Sequence, residues 1–335
     1  MMGSLFLKKC KCFSPFLLAL FIPYGVFAGQ GKLKKATFIP QWVPQAQFAG
    51  YYVAREKGIY KRHGIDLEII DGGPQRQASD FLKARKADFA TLWLSAGIQM
   101  RDEGTKLLNI AQVMQRSALM LVAKKSSGIR SPQDLNGKKV GLWDPIFQVQ
   151  PRAFFNKYNL DVKEIRQSFS VDLFLRDGVQ VASAMWYNEY HTIVNCGLNP
   201  DELVTFFFHE HGLNFPEDGI YTLEETMARD PELCRSFVKA SLEGWKYAFA
   251  HLREALETVM RNLTKIHIPA TRVHQKWMLE RMKDLILPAG DAAPMGMLKP
   301  DDYRRVAEGL KENGLIKGIP ELSQFHRNCQ TDEKK

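Results

Sequence analysis

A strand–helix alternation that occurs twice, on either side of Pro132, constrains this fold most. From Lys35 to Lys125 the pattern predicts a strand at Ala36–Ile39, a helix over about Ala49–Tyr60 and a strand at Asp66–Ile70. A helix at Gln75–Lys83, a strand at Phe89–Leu92 and a helix at Ser95–Glu103 follow, then strands near Leu107–Gln112 and Leu119–Ala123. Beyond Pro132 come a turn at Asn136-Gly137-Lys138, a strand at Val140–Leu142, a helix at Phe147–Tyr158, a weak strand at Ile165–Ser168, a helix starting at Val171–Leu175 and a strand at Val181–Met185. Such alternation points to an α/β fold of mostly parallel sheets flanked by helices. Two blocks imply two lobes with a cleft between them. The expected crossings lie near Ala123–Gly128 and Gly219–Leu223, so that residues 29–124 and 221–325 form lobe 1 and residues 125–220 form lobe 2. The C-terminal part of lobe 1 is helical. Asp230-Pro231-Glu232 places Asp at an N-cap and Pro at the first helical position, and that helix should run to about His251. Further helices are expected at Arg253–Asn262, Val273–Leu285 and from Pro300 to near Gly314, with residues 326–335 a flexible tail.

The first residues read as an export signal. Lys8, Lys9 and Lys11 precede a largely apolar Phe13–Ile22, and Val26-Phe27-Ala28 offers small residues for cleavage after Ala28. The apolar run is short for a membrane span. This predicts a periplasmic protein. Removing residues 1–28 leaves 307 of the 335 residues, enough for two lobes, since single cores stop growing at about 250–300 residues. The formal charge of +9 falls by three lysines to +6, and the basic residues are mixed with acids, without a block or motif for nucleic acid. Of five cysteines, Cys10 and Cys12 leave with the signal. Cys196, Cys234 and Cys329 show no disulfide framework or metal spacing, and one pair or three free thiols fit equally.

Ligands of open α/β sheets bind beyond the carboxyl ends of the strands, which selects the loops that matter. After the first strand comes Gln41-Trp42-Val43-Pro44-Gln45-Ala46-Gln47-Phe48, where Trp42, Gln47 and Tyr51 are candidate ligand contacts; a core role is the alternative for such aromatics. Gly72 and Gly73 follow the second strand and let backbone N–H groups approach a ligand, although a plain turn would look the same. Trp93 and Ser95 follow the third, with Ser95 equally suited to cap a helix. Trp143 and Gln148 hold the equivalent place in the second block. Trp186, Tyr187, Asn188 and Glu189 bring stacking surfaces, an amide and a carboxylate together, a set suited to an aminopyrimidine edge. His209-Glu210-His211 lacks metal-site spacing, and no P-loop, G-x-S-x-G or G-x-G-x-x-G occurs. The reading assigns no catalytic residue, no metal and no cofactor.

W-x-P-x-x-x-F-A-G-Y-Y-V-A from Trp42, then K-G-x-Y and G-I-D-L, resembles the thiamin-pyrimidine-precursor-binding family of periplasmic solute-binding proteins that serve ABC transporters. These are type II binding proteins, close to the sulfonate, taurine and nitrate binders. The resemblance continues through Asp71-Gly72-Gly73-Pro74, Lys86-Ala87-Asp88-Phe89, Asp134 to Gly141 and Asn214-Phe215-Pro216-Glu217-Asp218-Gly219, covering Gln41 to about Leu263. It implies a two-lobed type II fold, a small planar heteroaromatic ligand, a permease partner and a monomer. The fungal thiamin-pyrimidine synthases resemble the same fold but carry G-L-K-x-x-x-H after the valine-aspartate of the third strand, where the lysine holds pyridoxal phosphate and the histidine is consumed. Here those positions are Leu92 and Ala96, and the synthases' cysteine-rich iron-binding cluster is missing. Leucine forms no Schiff base and alanine supplies no imidazole. The expected function is therefore delivery of a thiamin-precursor pyrimidine to an importer. The alternatives are a flavin, a sulfonate or nitrate, or a sensing module, and a carboxylate at Glu189 disfavours the small anions.

Overall fold

The computed structural model describes residues 32–290 and 293–330. The export signal expected over residues 1–28 lies outside them, as do residues 331–335 of the expected tail. Ten strands form two five-stranded sheets. The first contains β1 (Lys34–Ile39), β2 (Ile65–Ile69), β3 (Phe89–Trp93), β4 (Leu107–Gln112) and β10 (Asp218–Leu223), in the order β2-β1-β3-β10-β4. The second contains β5 (Leu119–Lys124), β6 (Lys139–Leu142), β7 (Lys163–Arg166), β8 (Val181–Met185) and β9 (Leu203–Phe207), in the order β7-β6-β8-β5-β9. The two orders are equivalent. In each sheet three strands pair in parallel, and a fourth position is filled by a strand that runs antiparallel to both neighbours. That strand is β10 in the first sheet and β5 in the second. The fold is thus a two-sheet α/β architecture of the type II periplasmic binding class.

The antiparallel strands relocate both crossings. Leu119–Lys124 was expected in the first lobe but pairs with β8 and β9 of the second sheet, so the chain crosses over residues 113–118. It returns over residues 208–217, ahead of β10, rather than at Gly219–Leu223. The strands that follow the crossings, β5 and β10, are buried along nearly their whole length. A strand buried on both faces carries no alternation to show which sheet it enters. β9 has no counterpart in the sequence reading.

Helix breaks follow local chemistry. The helix expected over Ala49–Tyr60 divides into Ala49–Glu56 and Ile59–Arg62, because Gly58 adopts φ +68°. The long helix Pro231–Ala250 begins as expected, with the Asp230 carboxylate accepting from the Leu233 N–H at 2.9 Å. It packs on Ala49–Glu56 through facing glycines. A Cβ added at Gly244 would overlap the Gly50 carbonyl oxygen, and one added at Gly50 would enter the Trp245 indole. Around this contact, Phe89 and Phe237 stack at 4.0 Å, with Phe38, Tyr51 and Tyr60 beside them. Gly244→Ala is expected to destabilise the protein by about 1–3 kcal/mol by overpacking, despite the gain in helix propensity. A thermal melt at or above the wild-type Tm would refute this close approach as a packing requirement.

The tail departs from expectation. Phe325 is fully buried, the Arg327 N–H donates to the Asn109 carbonyl at 2.9 Å, and Cys329 is buried. Residues 326–330 therefore run along β4 rather than hanging loose. Among the described residues, Cys196, Cys234 and Cys329 form no disulfide. No helix among the described residues is long and apolar enough to cross a membrane.

Candidate functional site

The parallel strands point their carboxyl ends at one cavity of about 300 Å³. The loop after β1 supplies Gln41, Trp42, Val43, Gln45 and Gln47, and β3 ends in Trp93. From the second sheet, the loop after β6 supplies Trp143 and Phe147, the segment after β7 supplies Phe169, and β8 with its loop supplies Met185, Tyr187, Asn188 and Glu189. Two aromatic pairs join the halves. Trp42 meets Phe169 edge-on at 4.9 Å, and Trp93 meets Phe147 edge-on at 4.8 Å. The helix Arg272–Ile286 also reaches across. His274 Nε2 lies 2.8 Å from Asn188 Oδ1, and Trp277 Nε1 donates to the Trp186 carbonyl at 3.0 Å.

Seven of the thirteen candidate residues stand on this wall: Trp42, Gln47, Trp93, Trp143, Tyr187, Asn188 and Glu189. The other six do not. Tyr51 is in the core against Phe38 and Trp245. Gly72 lies against Pro40 and Trp42 so closely that a Cβ would overlap the Pro40 carbonyl, so it sets the path of the loop behind the cavity. Gly73 borders a neighbouring outer chamber of about 390 Å³. Ser95 is buried in the first turn of the helix Leu94–Asp102, whose N-cap is Trp93, so it does not cap that helix. Gln148 faces a surface hollow behind the site and donates to the Trp143 carbonyl at 2.6 Å. Trp186 packs on Phe207 under the Arg281 guanidinium. Trp186 and Tyr187 lie in the tight turn after β8, and of the two it is Tyr187 that lines the cavity.

Sequence reasoning missed Gln41, Val43, Gln45, Phe147, Phe169 and Met185 as wall residues. The strand-end rule selected the loops that hold Gln41, Gln45 and Phe147, and amides or an aromatic within them were the available signal. Phe169 follows a strand too weak to single out. The outer chamber shares Gln41, Trp42, Trp93, Phe147 and Phe169 with the cavity, and Leu92 and Ala96 are on its wall.

Glu189 lies in the first turn of the helix Glu189–Asn195 but is buried, not solvent-facing. It accepts from the Met185 N–H at 2.9 Å and from Asn188 Nδ2 at 2.7 Å. Burial raises its pKa to about 7 despite those bonds. Two further buried carboxylates sit behind the cavity. Asp218 accepts from Gln41 Nε2 at 2.5 Å and Gln47 Nε2 at 2.8 Å, and burial raises its pKa to about 7. Glu217, at the end of the returning crossover, accepts from Ser117 Oγ at 2.7 Å and from the N–H groups of Ala118 and Leu119 at 3.0 and 3.2 Å. It ties the two crossovers together, and burial raises its pKa to about 8. Among the described residues no lysine or arginine lines the cavity. Near the crossovers, His209 and His211 turn to different partners, the Ser117 carbonyl and the Tyr158 hydroxyl. Among the described residues no cluster of three or more His, Cys, Asp or Glu could hold a metal.

The chain is similar over its length to two curated proteins. It is 24% identical over 313 residues to the riboflavin-binding protein RibY of Chloroflexus aurantiacus, covering 89% of this chain and 86% of that one. It is 22% identical over 321 residues to a putative thiamine biosynthesis protein of Haemophilus influenzae, covering 92% and 96%. Among solved structures, the periplasmic aliphatic sulphonate binding protein SsuA of Escherichia coli aligns with a TM-score of 0.67 at 12% identity, covering 87% of this chain and 96% of that one. That likeness is one of fold. The NMT1/THI5-like family model matches residues 45–255, from the loop after β1 through both sheets and into the C-terminal helices. A match over well more than half of the chain, spanning every loop that walls the cavity except Gln41, Trp42 and Val43, shows that this chain belongs to the NMT1/THI5-like family.

Proposed function

We propose that this protein is an exported solute-binding protein that captures a planar, amino-substituted heteroaromatic and hands it to the permease of an ABC importer. A thiamin-precursor pyrimidine is the leading ligand. The observation that carries this reading is the wall itself. Trp42, Trp93, Trp143, Phe147, Phe169 and Tyr187 offer ring faces and edges, Glu189 offers a carboxylate, and among the described residues no lysine or arginine joins them. Aromatic side chains favour stacked or edge contacts with a flat ring, and a carboxylate accepts strongly from amino and ring N–H groups. A desolvated carboxylate beside a sulfonate or nitrate would be repulsive, with no lysine or arginine to offset it. The volume of about 300 Å³ is at the small end of ligand-sized pockets, which suits a single substituted ring.

A flavin is the second reading. It is favoured by the adjoining outer chamber, which shares five wall residues and would take a larger ring system or a chain, and by the similarity to the riboflavin-binding protein of Chloroflexus. A synthase role is disfavoured by Leu92 and Ala96, neither of which has the chemistry of the synthase residues. Permease partnership, a monomeric state and export to the periplasm belong to the same proposal. A sensing role would differ in the partner and not in the cavity.

Mass spectrometry of small molecules released from the purified protein identifies the ligand, and calorimetry measures it. An aminopyrimidine should bind with micromolar affinity or better, about −8 kcal/mol. Tight binding of taurine or nitrate, with no binding of pyrimidines or flavins, would sink the proposal.

A further inference from the structure

One buried carboxylate sets the direction of two amides on the cavity wall. Asp218 is the first residue of β10 and is 3% exposed. Gln41 Nε2 donates to its Oδ1 and Gln47 Nε2 donates to its Oδ2. An ionised carboxylate offers only acceptors, so both amides must turn their NH₂ groups toward it. The Gln47 carbonyl oxygen then faces Gln45, whose Nε2 donates to it at 2.6 Å. This turns Gln45 in its own right. The carbonyl oxygens of Gln41 and Gln45 receive no hydrogen bond from any described residue, and neither is shut away from the cavity that both residues line. Amide orientation is assigned from such networks, and here the carboxylate allows one assignment.

Glu189 contributes a third acceptor. The Asn188 amide is engaged at both ends, its Nδ2 donating one of its two N–H groups to Glu189 and its Oδ1 lying against His274. We infer that Asp218 is a positioning residue that sets the polarity of the site. Acting on Gln41 directly and on Gln45 through Gln47, it fixes two amide oxygens as acceptors on the wall beside Glu189, and these select rings bearing N–H donors, amino-substituted over oxo-substituted. This rests on the heteroaromatic reading and narrows it. A flavin ring, rich in carbonyl oxygens, is a poor match to such a wall.

The test is titration calorimetry at pH 8, above the value of about 7 to which burial raises Asp218. The probes are 4-amino-5-hydroxymethyl-2-methylpyrimidine, its 4-oxo counterpart and riboflavin. The wild type should prefer the amino form over the oxo form by about tenfold or more, since the oxo form sets an acceptor against acceptors. Asp218→Asn replaces one acceptor by a donor, which reverses one glutamine, and the preference should shrink by about tenfold. Gln41→Leu and Gln45→Leu leave Asp218 in place and should each weaken the amino form more than the oxo form. They carry the test if Asp218→Asn does not fold. A merely structural role for Asp218 would weaken both probes alike and leave their ratio unchanged. Equal wild-type affinities, a stronger affinity for riboflavin, or a ratio that survives these substitutions would overturn the relay and leave the heteroaromatic reading standing. No binding of any of the three probes would overturn both.

Discussion

Glu189→Ala is expected to weaken binding of the aminopyrimidine by about tenfold to a hundredfold at pH 8. Charge-assisted hydrogen bonds contribute roughly 1.5–3 kcal/mol, and each 1.4 kcal/mol is about tenfold in affinity. The empty protein should melt close to the wild type. Alanine leaves the Met185 N–H without its acceptor, but it also removes a carboxylate that burial disfavours, and the two effects oppose. The pH dependence sharpens the test. A ligand that donates to Glu189 binds the ionised form, so affinity is full above the raised value of about 7 and is lost as pH falls through it. Wild-type affinity relative to the alanine variant should therefore drop by about tenfold between pH 8 and pH 6. Taking the ratio of the two proteins cancels any titration of the ligand. Calorimetry at both values decides. A change of less than about twofold on substitution would remove Glu189 from the site and weaken the pyrimidine assignment with it.

The ligand-free protein is expected to lose stability as pH rises from about 6.5 to 8. Glu217, Asp218 and Glu189 are all raised by burial, to about 8, 7 and 7. A carboxyl whose folded pKa exceeds its unfolded value holds a proton in the native state that the unfolded chain has released. Its contribution is complete below the unfolded pKa and is lost as pH rises through the folded one. Each such group can change stability by as much as about 1.4 kcal/mol per pH unit. The histidines work in the opposite sense. His209 is lowered to about 4 by burial, and His274 and His326 are also lowered by burial. They add stability as pH rises toward their unfolded value of about 6.5, so the carboxyl effect is unopposed only above that point. Glu217 spans the whole window. Glu217→Gln, which keeps an acceptor for the crossover N–H groups, should flatten the decline. Thermal melts of both proteins at pH 6.5 and 8 measure it. A wild-type Tm that holds or rises over this range would contradict the assignment of buried, protonated carboxyls beside the crossovers.

Most of the architecture was legible because it is written in local pattern. Strand and helix positions follow from periodicity, the start of the helix Pro231–Ala250 from Asp230-Pro231, and the doubling of the sheet from the doubling of the pattern. The crossings were misplaced because β5 and β10 are buried along nearly their whole length and show no alternation, and the sheet such a strand joins is settled by partners far along the chain. The tail was misread for a related reason. Its composition is polar, but one phenylalanine and the backbone of Asn109 are enough to hold it along β4.

The division is the same at the site. By itself the sequence determined which loops surround the cavity, since parallel strands put their carboxyl ends on one side and the loops after β1, β3, β6 and β8 carry the aromatic and amide residues. Only the tertiary structure decided which side chain in each loop enters. Trp186 is drawn away to Arg281, Tyr187 turns inward, and Ser95 and Tyr51 are consumed by packing. The tertiary structure also decided the chemistry of what enters. Gln41 and Gln45 receive their polarity from a carboxylate more than 170 residues away, and Glu189 receives its raised pKa from burial. Periodicity and turn chemistry act between neighbours in sequence, whereas desolvation and amide orientation are properties of a closed space that exists only when distant segments meet.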